Sequence, residues 1–199
     1  TDNTSSLQFA IDYISANSPG DTLEIWVGRY PIGGVRLKSN VTIYLREGAI
    51  LTGIRNAYNY DLTNATPAML YGEDIENFEI FGQGVIEGFG TELGQHIDKQ
   101  VSLGYINSAE AASPWQVALK GCRNVTLKGI VMQNGCRGGL NVTECSNLTL
   151  DNVTIFGRTD APTEGIVASK NNGLHAVKCY IDVKGNPVVS TSNENSVAE

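Results

Sequence analysis

A chain of 199 residues with 41% hydrophobic and 18% charged residues has the length of one domain with a continuous core, and its composition is neither that of a disordered chain nor that of a membrane protein. Its formal net charge of -7 argues against the basic footprint that nucleic acid requires, and no apolar run approaches the length needed to span a bilayer. The 22 glycines suit a fold that turns tightly and often.

In chain order, the first element is a helix. Leu7, Ile11 and Ile14 share a face, Ser or Thr precedes them as a cap, and Pro19-Gly20 ends the run, so a capping helix is expected at about 5–18. Asp21 to Val27 reads as a strand, Gly28-Arg29-Tyr30 as a turn, and Val35-Arg36-Leu37 leads into Asn40-Val41-Thr42-Ile43-Tyr44-Leu45. Residues 88–113 are poor in strand pattern and hold Gly90, Gly94 and Gly104. They read as a lateral loop of the kind that walls a binding groove. His96 lies in that loop, where a lone His is more often solvated than functional.

The next stretch repeats itself. Cys122-Arg123-Asn124-Val125-Thr126-Leu127 returns 23 positions later (145 minus 122) as Cys145-Ser146-Asn147-Leu148-Thr149-Leu150. Apolar and polar residues alternate within each copy, which is the period of a half-buried strand. Asn172-Gly173-Leu174 follows Asn147 by 25 positions, and Asn77-Phe78-Glu79-Ile80 and Asn40 to Leu45 lie upstream. Second strands sit inside the repeat at Gly129 to Met132, Val153 to Ile155 and Tyr180 to Val183. Such a unit cannot close a core alone; stacked in coils it can, with the N-terminal helix plugging the open end.

Asn at a fixed turn position suits a stack, because Asn tolerates the left-handed conformation and its amide can bond the same group one coil away. Seven Asn-x-Ser/Thr matches, at Asn3, Asn40, Asn64, Asn124, Asn141, Asn147 and Asn152, also read as glycosylation acceptors, but four of them begin or adjoin repeat strands, which favours a ladder there. Cys122 and Cys145 occupy equivalent places and read as stacked buried thiols, although a disulfide between them is geometrically conceivable. The spacing of Cys122, Cys136, Cys145 and Cys179 matches no zinc pattern and the chain has 2 His, so no metal or cofactor is expected.

The series Ile25 to Tyr30, Val35 to Ile43, Glu47 to Leu51, Asn59-Tyr60, Ile80 to Gly88, Pro114-Trp115, Gln133-Asn134 and Cys145 to Ile155 resembles the polygalacturonase-like glycoside hydrolases of family 28. The resemblance covers nearly the whole chain and implies an all-β, right-handed parallel β-helix. It also implies an Asn-Thr-Asp motif, a Gly-Asp-Asp motif, and later a Gly-His-Gly and an Arg-x-Lys. The first falls on Pro162-Thr163-Glu164-Gly165-Ile166 and the second on Gly185-Asn186-Pro187-Val188-Val189. Glu164 keeps a carboxylate, one methylene longer. Asn186 and Pro187 replace both acids of the second motif, and neither titrates in the useful range. The later motifs do not occur within these residues.

Inverting hydrolysis of a glycosidic bond needs a carboxylic acid and a carboxylate on opposite sides of the sugar. Glu164 with Asp160 or Asp182 is the candidate catalytic pair, and Arg137, Arg158 and Lys184, with His96, are the candidate substrate-binding residues, the cations meeting a uronate or sulfate. The bland alternative is a set of solvated charges on the outside of a coil. Trp26, Tyr30, Tyr44, Tyr58, Tyr60 and Trp115 could stack sugars, though most sit where a core would also want them.

Three readings follow: a carbohydrate-active enzyme with an altered site, a degenerate relative that binds polysaccharide or serves as a structural β-helix, and a subunit completed by a second copy of itself. The third is motivated by the polar tail after Ser190, which offers no capping helix for the C-terminal end. A lyase or epimerase using Lys184 or Arg158 has less support. The expected partner is a polysaccharide or oligosaccharide, not nucleic acid or membrane. Thr1-Asp2-Asn3 carries no leader pattern, and the expected location is secreted or periplasmic.

Overall fold

A computed structural model describes residues 1–158 and 163–198. Among these residues the chain winds through three parallel sheets in a fixed order, one short strand in each per coil, as a right-handed parallel β-helix. Sheet A holds seven strands, from Thr22–Ile25 to Val197–Ala198; sheets B and C hold six each, from Gly28–Ile32 to Tyr180–Asp182 and from Val35–Arg36 to Val188–Thr191.

The alternation seen in the sequence sets which side chains enter the solenoid. In Val41–Leu45 the burial alternates, with Val41, Ile43 and Leu45 inside. Register then stacks like on like: Val125 lies between Phe78 and Leu148, and Leu127 between Ile80 and Leu150. These columns make a single continuous core along the axis.

The corner from sheet C into sheet A is built on left-handed residues. Asn40, Asn77, Asn124 and Asn147 all have φ between 53° and 60°. Their amides form the ladder expected of them: Asn77 donates to Asn40 Oδ1 at 3.2 Å, Asn124 to Asn77 at 3.2 Å, and Asn147 to Asn124 at 2.6 Å. The next step corrects the sequence reading. Asn172 pairs with Ser146, and Gly173 (φ 79°) takes the left-handed place above Asn147, so the ladder is interrupted there. A second, buried column runs beside it. Cys122 and Cys145 are free thiols, continued by Asn171, which accepts the Cys145 N–H at 2.8 Å and donates to Val142 O at 3.0 Å.

Helix α1 (Thr4–Asn17) closes the N-terminal end with Leu7 and Ile11 buried and Ile14 packed against the core. Its first turn is capped by Asp2, whose carboxylate accepts the Thr4 N–H at 2.8 Å and the Thr4 hydroxyl at 2.5 Å. The segment 88–113 is not the irregular loop its glycines suggested. It forms α2 (Gly90–Ser102) and the short α3 (Ala109–Ala112), because Leu93, Ile97 and Val101 recur at helical spacing and pack against the core, while Gly94 stays off that face. At the other end, Tyr180, Val188 and Val197 are exposed on the last strands of the three sheets.

Two outcomes follow from the stacking. Asn124→Ala is expected to cost about 2 kcal/mol, joining the left-handed penalty to lost amide bonds, and Asn124→Gly about half of that, since only the bonds are lost. Urea midpoints for the two variants check this, and equal costs would remove the backbone contribution. A Cβ at Gly138 would stand 2.5 Å from the Glu164 carbonyl oxygen and 2.6 Å from the Trp115 ring. Gly138→Ala should therefore cost about 1–3 kcal/mol by overpacking, read by the same denaturation.

Candidate functional site

Most of the residues singled out from the sequence gather on one edge of the solenoid, where the chain crosses from sheet B to sheet C. Arg137, Arg158 and Lys184 lie on successive crossings, Asp182 ends the last strand of sheet B, and Glu164 opens a strand of sheet C. Asp160 lies outside the described residues. The crossings are narrow: a Cβ at Gly165 would meet Pro187 O at 2.2 Å, and one at Gly185 would meet Thr163 O at 2.4 Å. Only glycine allows this closeness.

Glu164 is fixed at both ends. Its N–H donates to Arg137 O at 3.0 Å, and its carboxylate accepts from the Asn186 N–H at 3.2 Å and the Asn186 amide at 3.3 Å. Thus Asn186 is a neutral donor to both oxygens of the Glu164 carboxylate. Asp182 is exposed, pairs with Phe156 in sheet B, and its carbonyl accepts the Gly157 N–H at 3.0 Å; among the described residues it makes no hydrogen bond to Glu164.

The cations divide by how they are held. The Arg137 guanidinium donates to the Glu110 carbonyl at 2.8 Å and to its carboxylate at 2.6 Å, and it lies 5.9 Å from the Trp115 ring centre, which ties α3 to the coil. Arg158 is exposed beside Phe156, 5.7 Å from ring centre to guanidinium, and Lys184 is exposed on the next crossing. His96 sits on α2 rather than in a loop. Its Nδ1 accepts the Ala57 N–H at 3.2 Å and Tyr58 meets its ring edge-on, so one nitrogen is spent on docking the helix.

The aromatic residues are mostly structural. Tyr60 and Trp115 are buried, Tyr60 donating to Ile54 O at 2.8 Å, and Tyr44 stacks on Phe81 at 4.6 Å. Trp26 is 57% exposed, with Arg46 lying 4.0 Å over its ring. Cys136, on the crossing before Arg137, is pushed up to about 11 by burial, which keeps it a neutral thiol and removes it as a nucleophile near neutral pH.

Two residues at this edge lie in segments that carry the family resemblance but were not singled out as site residues. Glu87 is 6% exposed; its carboxylate accepts from the Phe89 N–H at 3.0 Å, the Gln133 amide at 2.5 Å and the Asn134 amide at 3.0 Å. Asn134 in turn accepts the Arg158 N–H at 3.0 Å. The Glu87–Asn134 contact joins residues 47 apart, and only the coil register brings them together. No cluster of three or more His, Cys, Asp or Glu that could hold a metal occurs among the described residues, and no helix among them is long and apolar enough to cross a membrane.

Comparison with known proteins places this architecture. An exo-poly-alpha-D-galacturonosidase of Dickeya chrysanthemi is 24% identical over 200 residues, covering 76% of this chain and 33% of that protein. Among solved structures, a protein of Parabacteroides merdae classed provisionally as a glycosyl hydrolase is 29% identical, with a TM-score of 0.91 over 100% of this chain and 91% of that one. The family 28 exopolygalacturonase of Yersinia enterocolitica is 23% identical with a TM-score of 0.84, covering 98% of this chain and 46% of that one. The chain thus spans a third of the curated relative and under half of the Yersinia enzyme. The model of the glycosyl hydrolases family 28 matches residues 25–198, and the chain belongs to that family.

Proposed function

We propose that the protein engages a pectin-type polysaccharide along the edge between sheets B and C and holds it without efficient turnover. The observation that carries this reading is the state of Glu164. Its carboxylate is bonded by Asn186, and the second acid position is filled by Asn186 and Pro187. Hydrolysis by inversion needs two titratable carboxyl groups flanking the bond, and neither Asn186 nor Pro187, which the family resemblance sets at the second acid position, titrates in the useful range. Binding needs only the surface, and the exposed Arg158 and Lys184 suit a polymer that carries carboxylates. A polymeric substrate of this kind meets the protein outside the cytoplasm, so the location proposed is secreted or periplasmic.

A second reading, hydrolysis, is favoured by one fact: Glu164 keeps a carboxylate where the family pattern has its first acid. Native electrophoresis in gels containing polygalacturonate, run beside a reducing-sugar assay, separates the two. The expected result is retardation with no sugar release above background. Arg158→Ala should weaken retardation by about tenfold, the loss of one charge-assisted contact. Release of sugar that disappears in Glu164→Gln would replace binding by hydrolysis.

A further inference from the structure

The N-terminal end of the solenoid carries an unfinished stack of planar groups. On the outer face of sheet A, Tyr44 and Phe81 lie parallel, with ring centres 4.6 Å apart and planes within 2°. Two residues on, at the corner leading into sheet B, the Arg46 guanidinium lies 4.0 Å over the Trp26 ring and 5.4 Å from the Tyr44 ring centre. The Glu24 carboxylate pairs with Arg46 and holds it there. Register accounts for the series: Ile25 pairs with Leu45, which sets Trp26 beside Arg46 of the next coil.

Trp26 follows Thr22–Ile25, the edge strand of sheet A, so its ring has a coil on one side and none on the other. Helix α1 closes the end without covering the indole, which is 57% exposed. Trp26 also borders a hollow of about 230 Å³ beside α1 that Arg46 does not border, so this hollow lies on the uncovered side of the ring. Leu7 and Ile32 line its apolar part, and Asn3 and Ser6 bring hydrogen-bonding groups to it. A large aromatic plate, braced on one face and open on the other, forgoes the burial that would stabilise it. It is arranged to receive a ring with an apolar face and a polar rim, and a pyranose has both. Charge narrows the class. The hollow has no Lys or Arg among its lining residues, and its carboxylate, Glu24, is already paired, so a uronate finds no partner there and an uncharged sugar loses nothing.

We propose that Trp26 stacks the ring of a neutral sugar in a second saccharide site at this end of the solenoid, with Arg46 and Glu24 as positioning residues for the indole. The site is separate from the edge between sheets B and C and independent of binding there.

The chain has 2 Trp, and Trp115 is 4% exposed, so acrylamide quenching of the intact chain reads Trp26. Neutral tetrasaccharides of galactose or of xylose should protect Trp26 from the quencher, and an oligogalacturonate of the same length should do so about tenfold less well. Saturation-transfer NMR should place the C–H protons of the neutral sugar against the protein. Trp26→Ala should weaken that binding about tenfold, with Trp26→Phe in between, since it keeps a smaller ring. Arg46→Ala keeps the indole and frees it, so affinity should fall several-fold and the fluorescence anisotropy of Trp26 should fall with it.

No protection by either neutral sugar would overturn the site and leave the reading of the other edge untouched. Equal protection by the oligogalacturonate would overturn the neutral class, and unchanged binding in Trp26→Ala would overturn the stacking. Unchanged anisotropy in Arg46→Ala would overturn the positioning role.

Discussion

The backbone hydrogen bonding of each coil to the next, at one strand spacing of about 4.8 Å, is the constraint on which everything else here depends. It makes a position in one coil the neighbour of the same position in the next. Val125 over Phe78 is core because of it, Asn124 over Asn77 is a ladder, and Cys145 over Cys122 is a buried column. Residues that break a column do so visibly, as Gly173 does above Asn147. The same spacing leaves no room at the crossings from sheet B to sheet C, where Gly138, Gly165 and Gly185 face carbonyl groups of adjoining coils.

That geometry governs the chemistry available at the edge. Side chains on successive crossings stand within reach of one another, so a carboxylate at one crossing is strongly affected by what occupies the next. Two carboxylates so placed would couple and divide their protonation between them. In this chain the neighbour of Glu164 is Asn186, which donates twice and cannot exchange a proton. The edge is thereby organised to hold an anionic oxygen in place.

The helices of segment 88–113 have a related role. Arg137 clamps α3 through Glu110, and His96 docks α2 on Ala57, so two residues with the chemistry of ligands are employed in building the wall. Glu87 and Asn134 work at its base. In the groove lined by Glu87, Phe89, Thr91, Glu92, Asn134 and Arg158, Arg158 is the cation.

Alternating Val, Ile and Leu at Asn-led repeats, an amphipathic stretch from Leu7 to Ile14, and left-handed Asn at one turn are local properties, so the sequence by itself determined the β-helix, its capping end and its ladder. It determined equally that Asn186 and Pro187 cannot serve as acids, because that depends on the side chain alone. Register was harder to read: Asn172 looked like the next rung, and only strand pairing gives that place to Gly173. Glycines hid α2, since its apolar spacing counts only where a core lies beneath it. The link from Glu87 through Asn134 to Arg158 was decided by tertiary structure, because it joins atoms on three different coils and no periodicity within one coil encodes it.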